Sequence, residues 1–586
     1  MGGDEGETEM LDRTKNHRML GVRSLVPALC VLMLVARADA ADQKVPKLIL
    51  QITVDQLRGD MPWRYYDRLG DGGFRYLLEQ GTVYNDAHHR HANTETIVGH
   101  ATLATGADPA AHGMVANVWL DRETGELAYN IEDARYPLLP SRAEESKDVE
   151  IDPTQKLART KGRSPAAILA STFSDELAVH FGGRSKIFGV SVKDRGAVSM
   201  AGHAGKAYWF SKETGDFITS TFYYKQYPDW VSEWNRRRLA DSYQGKSWEL
   251  MREQSTYVFG EHDDRPYETD FPGYGRTFPH PFGNADSKYF YTLLTVSPVG
   301  DELTSAFAMA LIDHEELGRD DIPDYLSVSF SSTDYIGHIF GPSSLESEDN
   351  ILRLDRTLTD LFRFVEEKIG LHNTLVVLSA DHGAPEAPEY VAGLGMEARR
   401  LEPNALDTEP AIQRLKERFG IGKDLFQTYF HPYLYLNHDV IRSHGLDQAE
   451  VERAVAAELM KFDGVALAVS SSDLRSGRLP EAPMIQQIRR NYHPKRSGDI
   501  YVVQEPYWHL YDDESIRLTA IHGSPWRYDT YVPIVFAGCG VPAQRIYRRV
   551  ETVDIAPTLA TYIGAKPPSG SVGGLLAEVL AECGAE

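Results

Sequence analysis

Cysteine is scarce in this chain, with three among 586 residues, Cys30, Cys539 and Cys583. That is too few for a fold built on a disulfide framework. Long apolar runs are missing as well. The longest, "LVPALCVLMLVA" from Leu25 to Ala36, is twelve residues, short of the ~20 that a membrane-spanning helix needs. Positive charge is in deficit: 61 Lys and Arg against 85 Asp and Glu leave a formal net charge of −24. Such a balance excludes a nucleic-acid binder or an anionic-membrane binder, which present basic surfaces. An anionic substrate would have to be attracted by positive charge assembled locally. The remainder of the composition, 25% charged and 42% hydrophobic, belongs to a soluble globular protein long enough to bury a large core.

Arg18 and Arg23 precede the apolar run, and "ADAA" from Ala38 to Ala41 offers small residues for cleavage after Ala40. Residues 1–40 therefore read as an N-terminal extension with a secretory signal peptide, and the product as periplasmic or secreted. The acidic stretch before His17 is unusual ahead of such a signal and points to Met19 as an alternative start. No small residue precedes Cys30, so no stable membrane anchor is expected. Export permits Cys539 and Cys583 to pair, but nothing in the sequence brings them together.

Five short apolar runs lack polar alternation and read as buried parallel strands: "KLILQITV" (Lys47 to Val54), "KIFGVSV" (Lys186 to Val192), "YLSVSFS" (Tyr325 to Ser331), "TLVVLSA" (Thr374 to Ala380) and "VPIVFAG" (Val532 to Gly538). Between them lie helical patterns. The clearest runs from Ser347 to Ile369, with Ile351, Leu354, Leu358, Leu361, Val365 and Ile369 on one face. Strands alternating with helices predict an α/β sandwich around a mainly parallel sheet. In such sheets ligands bind beyond the carboxyl ends of the strands. Four runs lead into charged groups there: Asp55, the Lys193/Arg195 pair, Asp334 with His338, and Asp381 with His382.

"TDYIGH" places Asp334 and His338 four residues apart, so one helical turn presents both to a single ion. "ADHG" supplies an adjacent carboxylate and imidazole. Mixed Asp and His donors suit zinc or a neighbouring transition ion better than calcium. Two clusters suggest two ions, which at about 3.5–4 Å separation can clamp both oxygens of a phosphoryl displacement. In "NTETIVGHATLATG", Asn93 to Gly106, hydroxyls open a helix where free N–H groups favour an anion. The same stretch also reads as an ordinary capped helix, and these residues alone leave both readings open.

The set "VDQLRGD", "NTETIVGHATLATG", "HGMVANVW", "SVKDRG", "AGHAGKAYWF", "STDYIGH", "SADHG" and "HGSPWRYDTYVPIVFAG" resembles the alkaline phosphatase superfamily. Within it the chain is similar to the phosphate-irrepressible, PafA-type alkaline phosphatases of the type I phosphodiesterase/nucleotide pyrophosphatase group. The resemblance implies a three-layer sandwich with cap insertions: one catalytic domain over 41–586, with insertions at about 207–300 and 397–500. It implies two zinc ions per chain. One would be held by Asp334, His338 and His522, the other by Asp55, Asp381 and His382 together with the Thr96 oxygen. Thr96 becomes the nucleophile, being the threonine four residues before His100, and Asn117, Lys193 and Arg195 would contact the transferring phosphoryl group. Val98 stands where the family often has proline. His100 and His112 are expected to buttress the nucleophile helix, and His88, His89 and His91 to lie behind the site.

The activity implied is phosphate-monoester hydrolysis through a phosphothreonine, because Lys193 and Arg195 can meet the second negative charge of a monoester. The alternative is a phosphodiesterase or nucleotide pyrophosphatase using the same metals and threonine. An exported, non-enzymatic anion- or metal-binding protein ranks lower, and related sulfatases are disfavoured by the lack of a "CxPxR" or "SxPxR" segment. The expected partners are phosphate monoesters, not nucleic acid, and the expected state is a monomer.

Overall fold

The computed structural model describes residues 45–139, 147–401, 403–422, 425–510 and 517–580. The signal-peptide reading, Cys30 and Cys583 all fall outside these residues. Cys539 is disulfide-bonded.

Nine strands form the principal sheet: β1 (Leu48–Val54), β2 (Thr82–His88), β3 (Ile187–Ser191), β4 (Lys206–Phe210), β5 (Phe217–Ile218), β6 (Asp324–Phe330), β7 (Thr374–Ser379), β8 (Ile534–Ala537) and β9 (Gln544–Glu551). Their order is β9-β2-β8-β7-β1-β6-β3-β4-β5. The central block β7-β1-β6-β3-β4 is parallel throughout. All seven residues of β1 and of β6 are buried, as expected for strands covered on both faces. One direction differs from expectation. The run Val532 to Gly538 does form a strand, β8, but it lies antiparallel to both β7 and β2. A continuous apolar run reports burial on two faces and carries no information about strand direction.

Five helices matter for the site: α1 (Thr96–Thr105), α2 (Asp194–Ala201), α3 (Pro298–His314), α4 (Ser332–Phe340) and α5 (Leu345–Lys368). The predicted Ser347–Ile369 helix is α5. It begins two residues earlier because the Ser344 hydroxyl accepts the Ser347 N–H as its N-cap. Its apolar stripe, Ile351, Leu354, Leu358, Leu361 and Val365, is buried in one core with Leu50, Ile52, Leu326 and Val328. Ile49, Tyr325, Leu375 and Val377, one residue out of step along the same strands, enter a different core with Leu103 of α1. The pleat thus sends alternate residues into two layers, with helices on both faces.

The first expected insertion is rich in aromatic side chains from Tyr208 to Tyr291, and many of these serve packing. Tyr208, Trp230 and Trp234 surround Phe307 of α3 at ring separations of 5.3, 5.3 and 5.5 Å. Its beginning lies inside the principal sheet, as β4 and β5. The stretch near 397 to 500 contains a second, four-stranded antiparallel sheet ordered Phe426–Phe430, Tyr433–Leu436, Ile500–Gln504, Val465–Ser470. Leu434, Val451, Leu459 and Val502 belong to a separate core there.

Strand register decides what meets at the sheet's edge. Val54 pairs with Phe330, Thr53 with Ser379, and Ser329 with Ser191. The residues that follow, Asp55, Lys193, Asp334 and Asp381, therefore emerge side by side. Antiparallel β8 enters the sheet at that same edge, since Ile534 pairs with Ser379. This brings His522 to it from the opposite chain direction.

Candidate active site

Thr96 is the first residue of α1, and Glu95 occupies the cap position without a side-chain capping bond. Thr96 is thus not the N-cap, and the plain capping reading fails. Thr94 also does not cap, since its hydroxyl donates to the Ser524 carbonyl at 2.9 Å. The first turn is met from outside, where Asn117 Oδ1 accepts the Ile97 N–H at 3.1 Å. Using its oxygen in this way leaves the Asn117 amide N–H₂ free for another acceptor. The Arg195 guanidinium donates to Thr96 Oγ1 at 3.2 Å through Nη2, and its Nη1 lies 2.7 Å from Asp152 Oδ2. Every residue of α1 is buried, so the hydroxyl and the guanidinium meet where few waters screen them.

The six remaining ligand candidates fall into two groups, Asp334/His338/His522 and Asp55/Asp381/His382, each with its donor atoms within 4.8 Å of one another. Backbone carbonyls set the histidine tautomers. His338, His522 and His382 each direct Nδ1 to a carbonyl, those of Ala520, Thr94 and Gly383, at 2.7, 2.8 and 3.0 Å. With Nδ1 donating, Nε2 presents a lone pair. Yet the Nε2 atoms of His338 and His522 lie 3.2 and 3.3 Å from Asp334 Oδ1. His382 Nε2 lies 3.3 Å from both Asp55 Oδ1 and Asp381 Oδ2, and neither it nor Asp55 Oδ1 has a hydrogen-bond partner. Lone pairs aimed at buried carboxylate oxygens repel unless positive charge lies between them. The donor chemistry fits two cations of the zinc type.

The electrostatics carry the same demand. Burial opposes charge on His382, but the Asp381 and Asp55 carboxylates push its imidazole up to about 9, so that without a metal ion a proton on Nε2 supplies the positive charge between that nitrogen and the carboxylates. Its stacked neighbour His522, with ring centroids 3.5 Å apart, is pushed down to about 3 by burial and by His382. Burial raises Asp381, with the Asp55 charge adding to it. Against the same burial, cationic neighbours hold Asp55 and Asp334 below the usual carboxylate range. Lys193 supplies much of that positive charge. Its fully buried ammonium lies 2.8 Å from Asp55 Oδ2 and also contacts Asp334 Oδ2, bridging the two acid groups.

Several participants gave no separable signal in the sequence. Asp152, in "EIDPTQ", reads as a helix cap and does cap Thr154 and Gln155, but its hold on Arg195 is a tertiary fact. Glu95 is buried beside Thr96, with Oε2 accepting from the Asn117 N–H at 2.8 Å and from Asn93 Nδ2 at 2.9 Å. Burial raises its carboxyl to about 7, against the pull of those bonds. Gln56 adopts a φ of 67° and donates to Asp334 Oδ1 at 2.9 Å. His100 backs α1, with Nε2 at 2.9 Å from Ser329 Oγ and Nδ1 at 2.9 Å from the Thr96 carbonyl. His89 and His91 are fully buried, their ring centroids 5.0 Å apart, and belong to neither candidate metal group.

Close packing fixes α1 against the Asp381 loop. A Cβ on Gly99 would sit 1.8 Å from the Asp381 carbonyl oxygen. Gly99→Ala is therefore expected to destabilise the protein by about 1–3 kcal/mol or more, since backbone must move to admit the methyl. Urea unfolding of the two proteins measures this, and an unchanged midpoint would contradict the packing described.

The family described as type I phosphodiesterase/nucleotide pyrophosphatase matches residues 49–525. A Myroides odoratus protein named calcium-transporting ATPase is 33% identical over 95% of this chain and 99% of its own length. Alkaline phosphatase PhoV of Synechococcus elongatus is 33% identical over 91% of this chain and 93% of its own. Among solved structures, a variant of alkaline phosphatase PafA substituted at one threonine, one asparagine, one lysine and one arginine superposes with a TM-score of 0.83. It is 31% identical and covers 92% of this chain and 99% of its own.

Proposed function

The chain belongs to the type I phosphodiesterase/nucleotide pyrophosphatase family, and from that premise we propose that it hydrolyses phosphate monoesters with Thr96 as nucleophile. The observation carrying the proposal is the Arg195 guanidinium, 3.2 Å from Thr96 Oγ1 at the head of α1 and flanked by two acceptor-only Asp/His groups. Relatives named alkaline phosphatase support the same reading. The four residue types altered in the PafA variant, threonine, asparagine, lysine and arginine, are those of Thr96, Asn117, Lys193 and Arg195.

Two divalent ions, which we assign as zinc, would be held by Asp55, Asp381 and His382, with Thr96 Oγ1, and by Asp334, His338 and His522. When bound they supply the positive charge that favours the threonine alkoxide and stabilises the departing oxygen. The protein's own groups do the rest. The N-terminus of α1 aims Thr96 Oγ at phosphorus. As its bond to phosphorus forms and the ester bond breaks, the alcohol departs and a phosphothreonine remains. Arg195 and the Asn117 amide take the non-bridging oxygens, where preorganised donors act most strongly. Lys193 neutralises Asp55 and Asp334 and adds to the field on the same oxygens. Water then hydrolyses the phosphothreonine, releasing phosphate and restoring the hydroxyl. We place the protein outside the cytoplasm on the signal-peptide reading. Among the described residues no helix is long and apolar enough to cross a membrane.

A monoester presents one more negative charge than a diester, and Arg195 is the cation in contact with Thr96. Arg195→Ala is expected to lower kcat/KM for an aryl phosphate by about 10²–10³-fold and for the matching diaryl diester by much less. Equal losses on the two substrates would overturn the monoesterase reading in favour of the diesterase one.

A further inference from the structure

We infer that the site is built for phosphate monoesters whose alcohol carries an apolar, ring-sized body. The inference rests on the monoesterase reading and adds the substrate class. The cavity that opens on Asn117, Arg195, Asp334, His338 and His522 has a volume of about 430 Å³. That is several times what a phosphoryl group fills, and within the range of sites that enclose a whole small molecule. Ile151, Leu157, Ile339, Phe430, Leu518 and Ile521 form an apolar part of the same lining. Polar groups in the same lining are engaged with protein: Asp152 with Arg195, Thr154 with Asp152, the Tyr335 hydroxyl with Lys212, and Lys156 with a partner of its own. A polyhydroxylated alcohol seated there would leave water for a surface that returns few hydrogen bonds. An aromatic or aliphatic ring would gain by burial against it.

The apolar wall is anchored to the chemistry. Phe430 ends the strand Phe426–Phe430, the edge of the second sheet. Beside it, the Tyr429 hydroxyl donates to His431 Nδ1 at 3.3 Å, and His431 Nε2 donates to the Gly523 carbonyl at 2.9 Å. Gly523 directly follows His522 of one metal group. A Cβ on Gly523 would come within 2.7 Å of His431 Nε2, so glycine is what lets the strand end and the histidine loop approach this closely. A ring held by Phe430 is consequently held at a set distance from the leaving-group side of the site, and its burial can be expressed in turnover as well as in binding.

Benzyl phosphate and ethyl phosphate release alcohols of similar basicity, so their comparison isolates the apolar body. With the zinc-loaded enzyme, kcat/KM for benzyl phosphate should exceed that for ethyl phosphate by about tenfold or more. Phe430→Ala and Leu157→Ala should each lower the benzyl value about fivefold and leave the ethyl value within about twofold. Circular dichroism checks that both variants fold, and either one suffices for the test. Turnover of both phosphates without preference, or a preference that neither substitution reduces, overturns the inference and leaves the monoesterase reading standing. Failure to turn over either phosphate overturns that reading too, which is a distinguishable result.

Discussion

Thr96→Ala should leave a folded protein whose kcat/KM toward phosphate monoesters is lower by about 10³-fold or more, because no other group at the head of α1 can form the covalent bond. Thr96 Oγ1 is the hydroxyl that the Arg195 guanidinium contacts, at 3.2 Å. Neighbouring hydroxyls cannot substitute for it. Thr94 is committed to the Ser524 carbonyl, and Thr102 bonds back to the Val98 carbonyl one turn along the helix. Thr96→Ser keeps the oxygen and should retain far more activity. Acid quenching of the wild type with labelled substrate should trap phosphate on the peptide containing Thr96, and the alanine variant should trap none. Near-normal turnover by Thr96→Ala would mean that water attacks directly and that the threonine merely lines the site.

Removal of divalent metal should cost at least as much. A chelator is expected to lower turnover by about 10³-fold or more, with zinc restoring it, since the two proposed ions would supply charge that Arg195 and Lys193 cannot replace at the attacking and leaving oxygens. Asp334→Ala should reduce bound metal from about two ions per chain to about one, as measured by elemental analysis. The site should not simply collapse in that variant. Lys193 would keep its contact with Asp55, 2.8 Å away, while His338 and His522 would keep their carbonyl contacts. A metal-free enzyme with full activity would remove the reason for three imidazole lone pairs to face buried carboxylates.

How much of this was legible differs from group to group. Asp334 and His338 could be paired from spacing alone, because one helical turn carries both, and α4 does carry both. Asp381 and His382 are adjacent in the chain. His522 was reachable only through resemblance, since no local pattern links it to residues nearly two hundred positions earlier. Its arrival depends on β8 running antiparallel, a direction that an apolar run does not encode. Asp152 and Glu95 were missed because an acid before proline and an acid before a helix have ordinary local explanations. Their contacts with Arg195 and Asn117 exist only after folding.

By itself the sequence determined the donor types and the class of fold. Unbroken apolar runs must be covered on two faces, and four of the five lead into Asp, His, Lys or Arg, which cannot follow the strand into the core. Tertiary structure alone decided which of those groups meet and what state each holds. Strand register places Asp55 and Lys193 in one buried space with Asp334 and Asp381. Backbone carbonyls from distant loops hold the Nδ1 protons of three histidines and free their opposite nitrogens. The strand Phe426–Phe430 brings Phe430 to the cavity's apolar wall. These outcomes depend on distances between segments far apart in the chain, which local periodicity and spacing do not contain.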